Sequence, residues 1–175
     1  NESVMSSSRI DVSVIGSSMN RPFRVAASAT RFYAGEPLEF NGTYSGGVAT
    51  ANTVVQAADA IPVIGTDNFV GVAAQHAPVG SDTTVDADWV DVTVVIPHFT
   101  RLRSKAKTAA NIDTLTELVG VLWDLVLFDL TSTTFTIDET GAADTSGLII
   151  SGGKEWELGY IEVVVDARAL RADIS

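Results

Sequence analysis

Valine and threonine set the terms for this chain, with 22 and 18 of its 175 residues. A side chain branched at Cβ has few rotamers open to it in a helix but packs well on a pleated surface, so such a chain is driven toward strands. The order of residues agrees. Ile10-Asp11-Val12-Ser13-Val14-Ile15, Trp89-Val90-Asp91-Val92-Thr93-Val94 and Thr134-Phe135-Thr136-Ile137 alternate apolar with polar, giving each strand one buried and one wet face. Leu118 to Leu130 and Leu158 to Val165 are more continuously apolar and predict strands covered on both sides. Turn chemistry separates the runs at Ala34-Gly35-Glu36-Pro37, Asn41-Gly42, Ser45-Gly46-Gly47, Pro78-Val79-Gly80, Thr140-Gly141 and Ser151-Gly152-Gly153. The expected architecture is all-β, a single-domain β-barrel or sandwich of short strands with at most one or two short helices.

Helix signals are sparse. Thr114-Leu115-Thr116-Glu117 matches a capping box, and Gly120 is placed to end a turn or two. Ala57-Ala58-Asp59-Ala60 and Thr108-Ala109-Ala110-Asn111 suit single turns or loops. At this length one domain is the default, and folding it buries roughly 70% of the unfolded surface without a metal or disulfide. Residues 1–9 are small, polar and aperiodic, and read as a mobile N-terminal arm ahead of a β-rich domain spanning 10–175. Without cysteine there is no thiolate nucleophile, cysteine zinc site or disulfide framework. No apolar run approaches the roughly 20 residues of a membrane-spanning helix, so a soluble protein is expected.

The formal charge is −11, unevenly distributed. Phe32 to Thr100 holds no lysine or arginine, whereas Arg101, Arg103, Lys105 and Lys107 place four cations in seven residues. An acidic body repels nucleic acid and anionic membranes, so neither is an expected partner. The cations recur at every second residue. An extended backbone sets all four on one face, where they serve either to meet an acidic protein surface or to protect an edge strand from unwanted pairing. No aromatic residues interleave with them to stack on bases.

Catalytic residue types are few. His76 and His98 are the two imidazoles, Gly-x-Ser-x-Gly is absent, and both histidines read as structural. Asp82, Asp86, Asp88 and Asp91 form the densest acidic cluster, yet the spacing departs from a calcium loop, and a solvated loop leading to Trp89 is the reading adopted. Gly65 to Gly71 lacks the lysine of a phosphate-binding loop. No cofactor, no metal and no enzymatic activity are expected. Trp89, Trp123 and Trp156 are candidates for core or intersubunit packing, with core the expected place for each.

The order of several segments carries a resemblance. Phe32-Tyr33-Ala34-Gly35-Glu36-Pro37-Leu38-Glu39-Phe40 precedes Ala60-Ile61-Pro62-Val63-Ile64-Gly65 and then Asn68-Phe69-Val70-Gly71-Val72-Ala73-Ala74. After these come Val94-Val95-Ile96-Pro97, the basic segment, Ala109-Ala110-Asn111, Leu118-Val119-Gly120 and a valine-rich strand ending in Asp166-Ala167-Arg168. From about Ala29 to Arg168 the chain resembles the decoration, or cement, proteins of tailed bacteriophage capsids, in which a small barrel-like module carries a Phe-Val-Gly-Val-Ala strand. The resemblance implies a structural virion protein on the outer capsid surface, often a homotrimer, tying neighbouring copies of the major capsid protein together. The contacts expected are the N-terminal arm with Arg9 and the row Arg101, Arg103, Lys105 and Lys107. Two other classes compete: a β-rich adhesion or carbohydrate-binding module, and a barrel hydrolase or isomerase centred on His76 or His98.

Overall fold

In the computed structural model, which describes residues 10–26, 31–41, 53–65, 69–77, 89–141 and 143–170, the alternating segments become strands. In chain order these are β1 (Val12–Ile15), β2 (Met19–Val25), β3 (Pro37–Phe40), β4 (Thr53–Gln56), β5 (Phe69–Ala73), β6 (Trp89–Val94) and β7 (Arg101–Lys105). Then follow helix α1 (Leu115–Val121), β8 (Leu125–Thr131), β9 (Thr134–Asp138), β10 (Leu148–Gly152) and β11 (Tyr160–Val165). The fold is all-β, as expected.

Five strands close a small barrel in the order β2-β4-β3-β5-β6. The closing step is the parallel pairing of β2 with β4 at Arg24 and Val25; every other pairing in the barrel is antiparallel. The remaining six form an antiparallel sheet, β1-β7-β11-β10-β8-β9. That sheet curls until its two ends meet. The Phe135 N–H donates to Asp11 Oδ2 at 3.0 Å, and the Lys107 N–H donates to the Ile137 carbonyl at 2.8 Å. Curling hides the apolar face of the sheet and leaves little open edge.

Two hydrophobic cores result. Val25, Phe32, Leu38, Val54, Val70, Val90 and Val92 fill the barrel. Leu102, Val126, Phe128, Phe135, Ile137, Ile150, Ile161 and Val163 fill the space inside the curled sheet, and Phe69 and Val72 reach into it from the barrel. All five residues of β5 are therefore buried. The register of β3 against β5 jumps from Leu38–Gly71 to Glu39–Phe69, leaving Val70 as an extra residue that bends the strand. Phe69 meets Phe128 with ring centroids 6.1 Å apart, and Phe128 meets Phe135 edge-on at 6.5 Å.

Two glycines make this junction possible. A Cβ on Gly71 would overlap the carbonyl of Thr93 on β6, so only a hydrogen lets the strands approach. Gly35 has φ 88, and a Cβ there would strike Ile10. Its turn stitches the sheet to the barrel: the Val12 N–H donates to the Gly35 carbonyl at 2.9 Å, and the Gly35 N–H donates to the Ala73 carbonyl at 2.8 Å.

Some expectations fail for identifiable reasons. Leu118 to Leu130 is not one strand. The capping box forms, with Thr114 Oγ1 accepting from the Glu117 N–H and the Glu117 side chain accepting from the Thr114 N–H, and starts a helix that consumes the run through Val121. Gly120 lies inside that helix instead of ending it. Strand β2 carries Pro22 and two arginines and shows little alternation, yet it forms because β6 pairs with it from Met19–Val94 through Arg24–Trp89.

Replacing Gly71 with alanine is expected to destabilise the fold by about 1–3 kcal/mol, the usual range for forcing atoms into a packed site. Nothing lies within 4 Å of a Cβ on Gly120, so Gly120→Ala is expected to stabilise α1 by about 0.5–1 kcal/mol. Urea denaturation of the two variants tests both signs; equal stability at Gly71 would remove the close crossing from the account.

Candidate interaction surface

The basic segment is extended, as its spacing predicts, but it is not an edge. β7 lies between β1 and β11, with Ile15 opposite Arg101 on one side and Glu162 opposite Arg103 on the other. Leu102 and Ser104 point into the core, and Arg101, Arg103 and Lys105 project together from the outer face. Edge protection is thus excluded as their role.

The fourth cation leaves the row. Lys107 follows the end of β7, and its ammonium reaches the β8–β9 hairpin, 2.8 Å from Asp129 Oδ1 and 3.5 Å from Asp138 Oδ2. The other three stand among partners of their own chain. Arg101 lies 3.5 Å from Glu162, and Arg103 forms an ion pair with Glu155. Tyr160 provides an aromatic face for two cations, with the Arg103 guanidinium 4.7 Å and the Lys105 ammonium 5.6 Å from its ring centroid. The row is a rigid, locally neutralised surface in which Lys105 is exposed at the strand end. Arg9 and the N-terminal arm lie outside the described residues, as do Asp82, Asp86 and Asp88 of the acidic cluster.

Both histidines are engaged by backbone. His76 Nδ1 accepts the Ala34 N–H at 3.0 Å while its ring meets Tyr33 edge-on, and His98 Nε2 accepts the Ala167 N–H at 3.2 Å. Each bond pins a loop. Glu36, buried beside the first of them, accepts from the Tyr33 N–H at 3.2 Å and from Gln56 Nε2 at 3.0 Å, fixing the same turn.

The tryptophans depart most from expectation. Trp156 packs against the sheet core, but Trp89 is 56% exposed and Trp123 is 70% exposed. Trp89 stacks with Arg24, its cross-strand neighbour, at 5.2 Å. Trp123 has φ 72, a left-handed backbone that costs a bulky residue on the order of 1–3 kcal/mol, and it is held there by donating its N–H to the Ile150 carbonyl at 2.8 Å. Leu115 and Val119, eight and four residues before it, are also exposed on α1. Trp123 itself lies two residues past the end of α1, after the extended Leu122.

A cavity of about 250 Å³ opens at the barrel mouth, lined by Met19, Arg21, Phe23, Phe40, Val94 and Leu170 among others. It lies where β2 begins and where β3 and β6 end. Periodicity could not reveal it, because its walls come from strands far apart in the chain.

Several ionisable groups are displaced by their partners. A hydrogen bond from Lys107 holds the Asp129 carboxyl below its ordinary range, and one from Arg168 does the same for Asp166; Asp129 in turn raises Lys107. A depressed carboxylate stabilises the fold above its unfolded pKa of about 3.9 and loses that contribution as pH falls through the folded value. A raised lysine contributes below its unfolded pKa of about 10.4 and loses the contribution as pH rises through the folded value. Asp129→Asn is therefore expected to lower the melting temperature slightly at pH 7, as loss of a solvent-screened ion pair does, and to converge with the unmodified chain once the pH has fallen below the depressed folded value of Asp129. Melting curves across pH check the sign; a deficit that persists in acid would assign the effect to packing instead.

No family model, no curated protein and no solved structure matches the chain.

Proposed function

We propose that this protein is a structural component of a tailed-phage virion that decorates the outer capsid surface and ties neighbouring capsid subunits together. The observation that carries the reading is the place of Phe69-Val70-Gly71-Val72-Ala73. It is a strand of a closed five-stranded barrel, the setting that the likeness to cement proteins calls for, and its glycine is required by the approach of β6.

Surface organisation supports the same reading. A cement protein needs a stiff body with contact groups held in fixed positions, because each contact is repeated over many copies and geometry then counts for more than the strength of one contact. Arg101, Arg103 and Lys105 stand on a strand paired on both sides, and backbone hydrogen bonds to His76 and His98 brace two loops. Charge borne on such a frame loses little entropy on binding.

Antibody against the chain is expected to label intact virions from the outside in electron micrographs, and the purified protein is expected to raise the temperature at which capsids lacking it disrupt. Its absence from purified particles would overturn the proposal. The double reversal Arg103→Glu with Lys105→Glu is expected to weaken capsid association at low salt by about tenfold or more, as loss of rigid charge contacts does. Unchanged binding across a salt series would remove the basic row from the contact.

A further inference from the structure

Strand β2 puts a cation where its register calls for an apolar residue. Met19, Arg21 and Phe23 lie opposite Val94, Val92 and Val90 of β6, and Val90 and Val92 are buried in the barrel core, so this row of β2 faces inward. The alternate row faces out: Asn20 accepts a hydrogen bond from the Thr93 hydroxyl at 2.8 Å, and Arg24 stacks on Trp89. Arg21 therefore stands on the inner face of the barrel wall, at the mouth of the cavity. Arg24 has a ring for its charge. Arg21 has no ion pair and no ring contact among the described residues.

The cavity behind it grades from wet to dry. Met19 and Arg21 at the rim are exposed, Phe23 and Val94 are half-buried, and Phe40, Phe69, Val70 and Val95 at the floor are buried. Phe23 and Phe40 meet edge-on at 5.8 Å and form a continuous aromatic wall. The space measures about 250 Å³, and Arg21 is the charged residue among the groups that line it. That volume is below the roughly 300 Å³ at which pockets for drug-sized ligands begin, so the occupant it suits is small. Apolar walls call for an apolar body, and a cation at the rim with no carboxylate beside it calls for an anionic end.

We propose that the barrel mouth binds a short unbranched alkyl carboxylate, with its tail between Phe23, Phe40 and Val94 and its head group paired with the Arg21 guanidinium. A planar guanidinium meets a carboxylate through two parallel hydrogen bonds, which fixes the direction in which the molecule enters. The tail supplies affinity by leaving water, and a flexible chain follows the uneven wall that phenylalanine, valine and methionine make. Arginine at an inward-facing position then has a reason: its stem continues the apolar wall and its charge waits at the rim. The site shares no residue with the row on β7, and the inference does not depend on the virion role.

Isothermal titration calorimetry of the full chain with octanoate, kept below its micellar range, tests this. Octanoate is expected to bind saturably, one per chain. Hexanoate, shorter by two methylenes, is expected to bind about tenfold more weakly, and octylammonium, with the same tail and the opposite charge, not measurably. Arg21→Met keeps an apolar stem at an exposed position, so its melting temperature is expected to be retained while octanoate affinity falls by about tenfold or more, as loss of a charged hydrogen-bond partner does. Val94→Phe fills the cavity and is expected to abolish binding. Val119→Ser, on the exposed face of α1, is expected to leave binding unchanged. The proposal is overturned by an absence of saturable binding, by octylammonium binding as tightly as octanoate, or by undiminished affinity in Arg21→Met. Binding retained by a folded Val94→Phe, or lost in Val119→Ser, places the ligand elsewhere and overturns it equally. Should Val94→Phe fail to fold, as its melting curve would reveal, Arg21→Met decides alone.

Discussion

The two halves of the molecule are held together by a strand that has no face to give to solvent. β5 is hydrogen-bonded to β3 and β6 within the barrel, and its side chains divide between the barrel interior and the core of the curled sheet. Phe69 and Val72 join the second core, and Val70 and Ala73 join the first. The extra residue at Val70 bends the strand, and the missing side chain at Gly71 lets β6 cross close to it. Burying large apolar groups from one strand in two cores contributes about 1.5–3 kcal/mol for each, which couples the stability of the halves.

That coupling has consequences at the surface. With both sheets curled or closed, the outward side chains sit on backbone whose hydrogen bonds are made on both sides. The cations of β7 consequently have fixed spacing, and carboxylates and an aromatic ring of the same chain surround them. Partial neutralisation lowers their long-range field and leaves short-range geometry as the basis of selectivity. Leu115 and Val119 of α1 remain exposed as well.

A barrel of short strands is compatible with many activities, so a role must be argued from surfaces and from contact chemistry. Here the histidines brace loops, the cations stand on a strand paired on both sides, and an exposed tryptophan is held in a left-handed backbone. These features support the proposed role of holding neighbouring capsid subunits in place.

Strand class and several strand positions were legible from residue order alone. Alternation located β1, β6 and β9, the paired cations marked β7 as extended, and Thr114 with Glu117 announced the start of α1. These are local effects, carried by Cβ branching, by the two-residue period and by a cap that spans four residues. The closure of the barrel, the placement of β7 between two partners and the recruitment of β2 depend on pairings between distant segments. The exposure of Trp89 and Trp123 likewise required the assembled fold, because hydrophobicity favours burial without saying which tryptophan finds a core to enter. Composition determined that this chain would build sheets; only the packing of one sheet against another decided which faces remained for a partner, because burial is a property of neighbours in space.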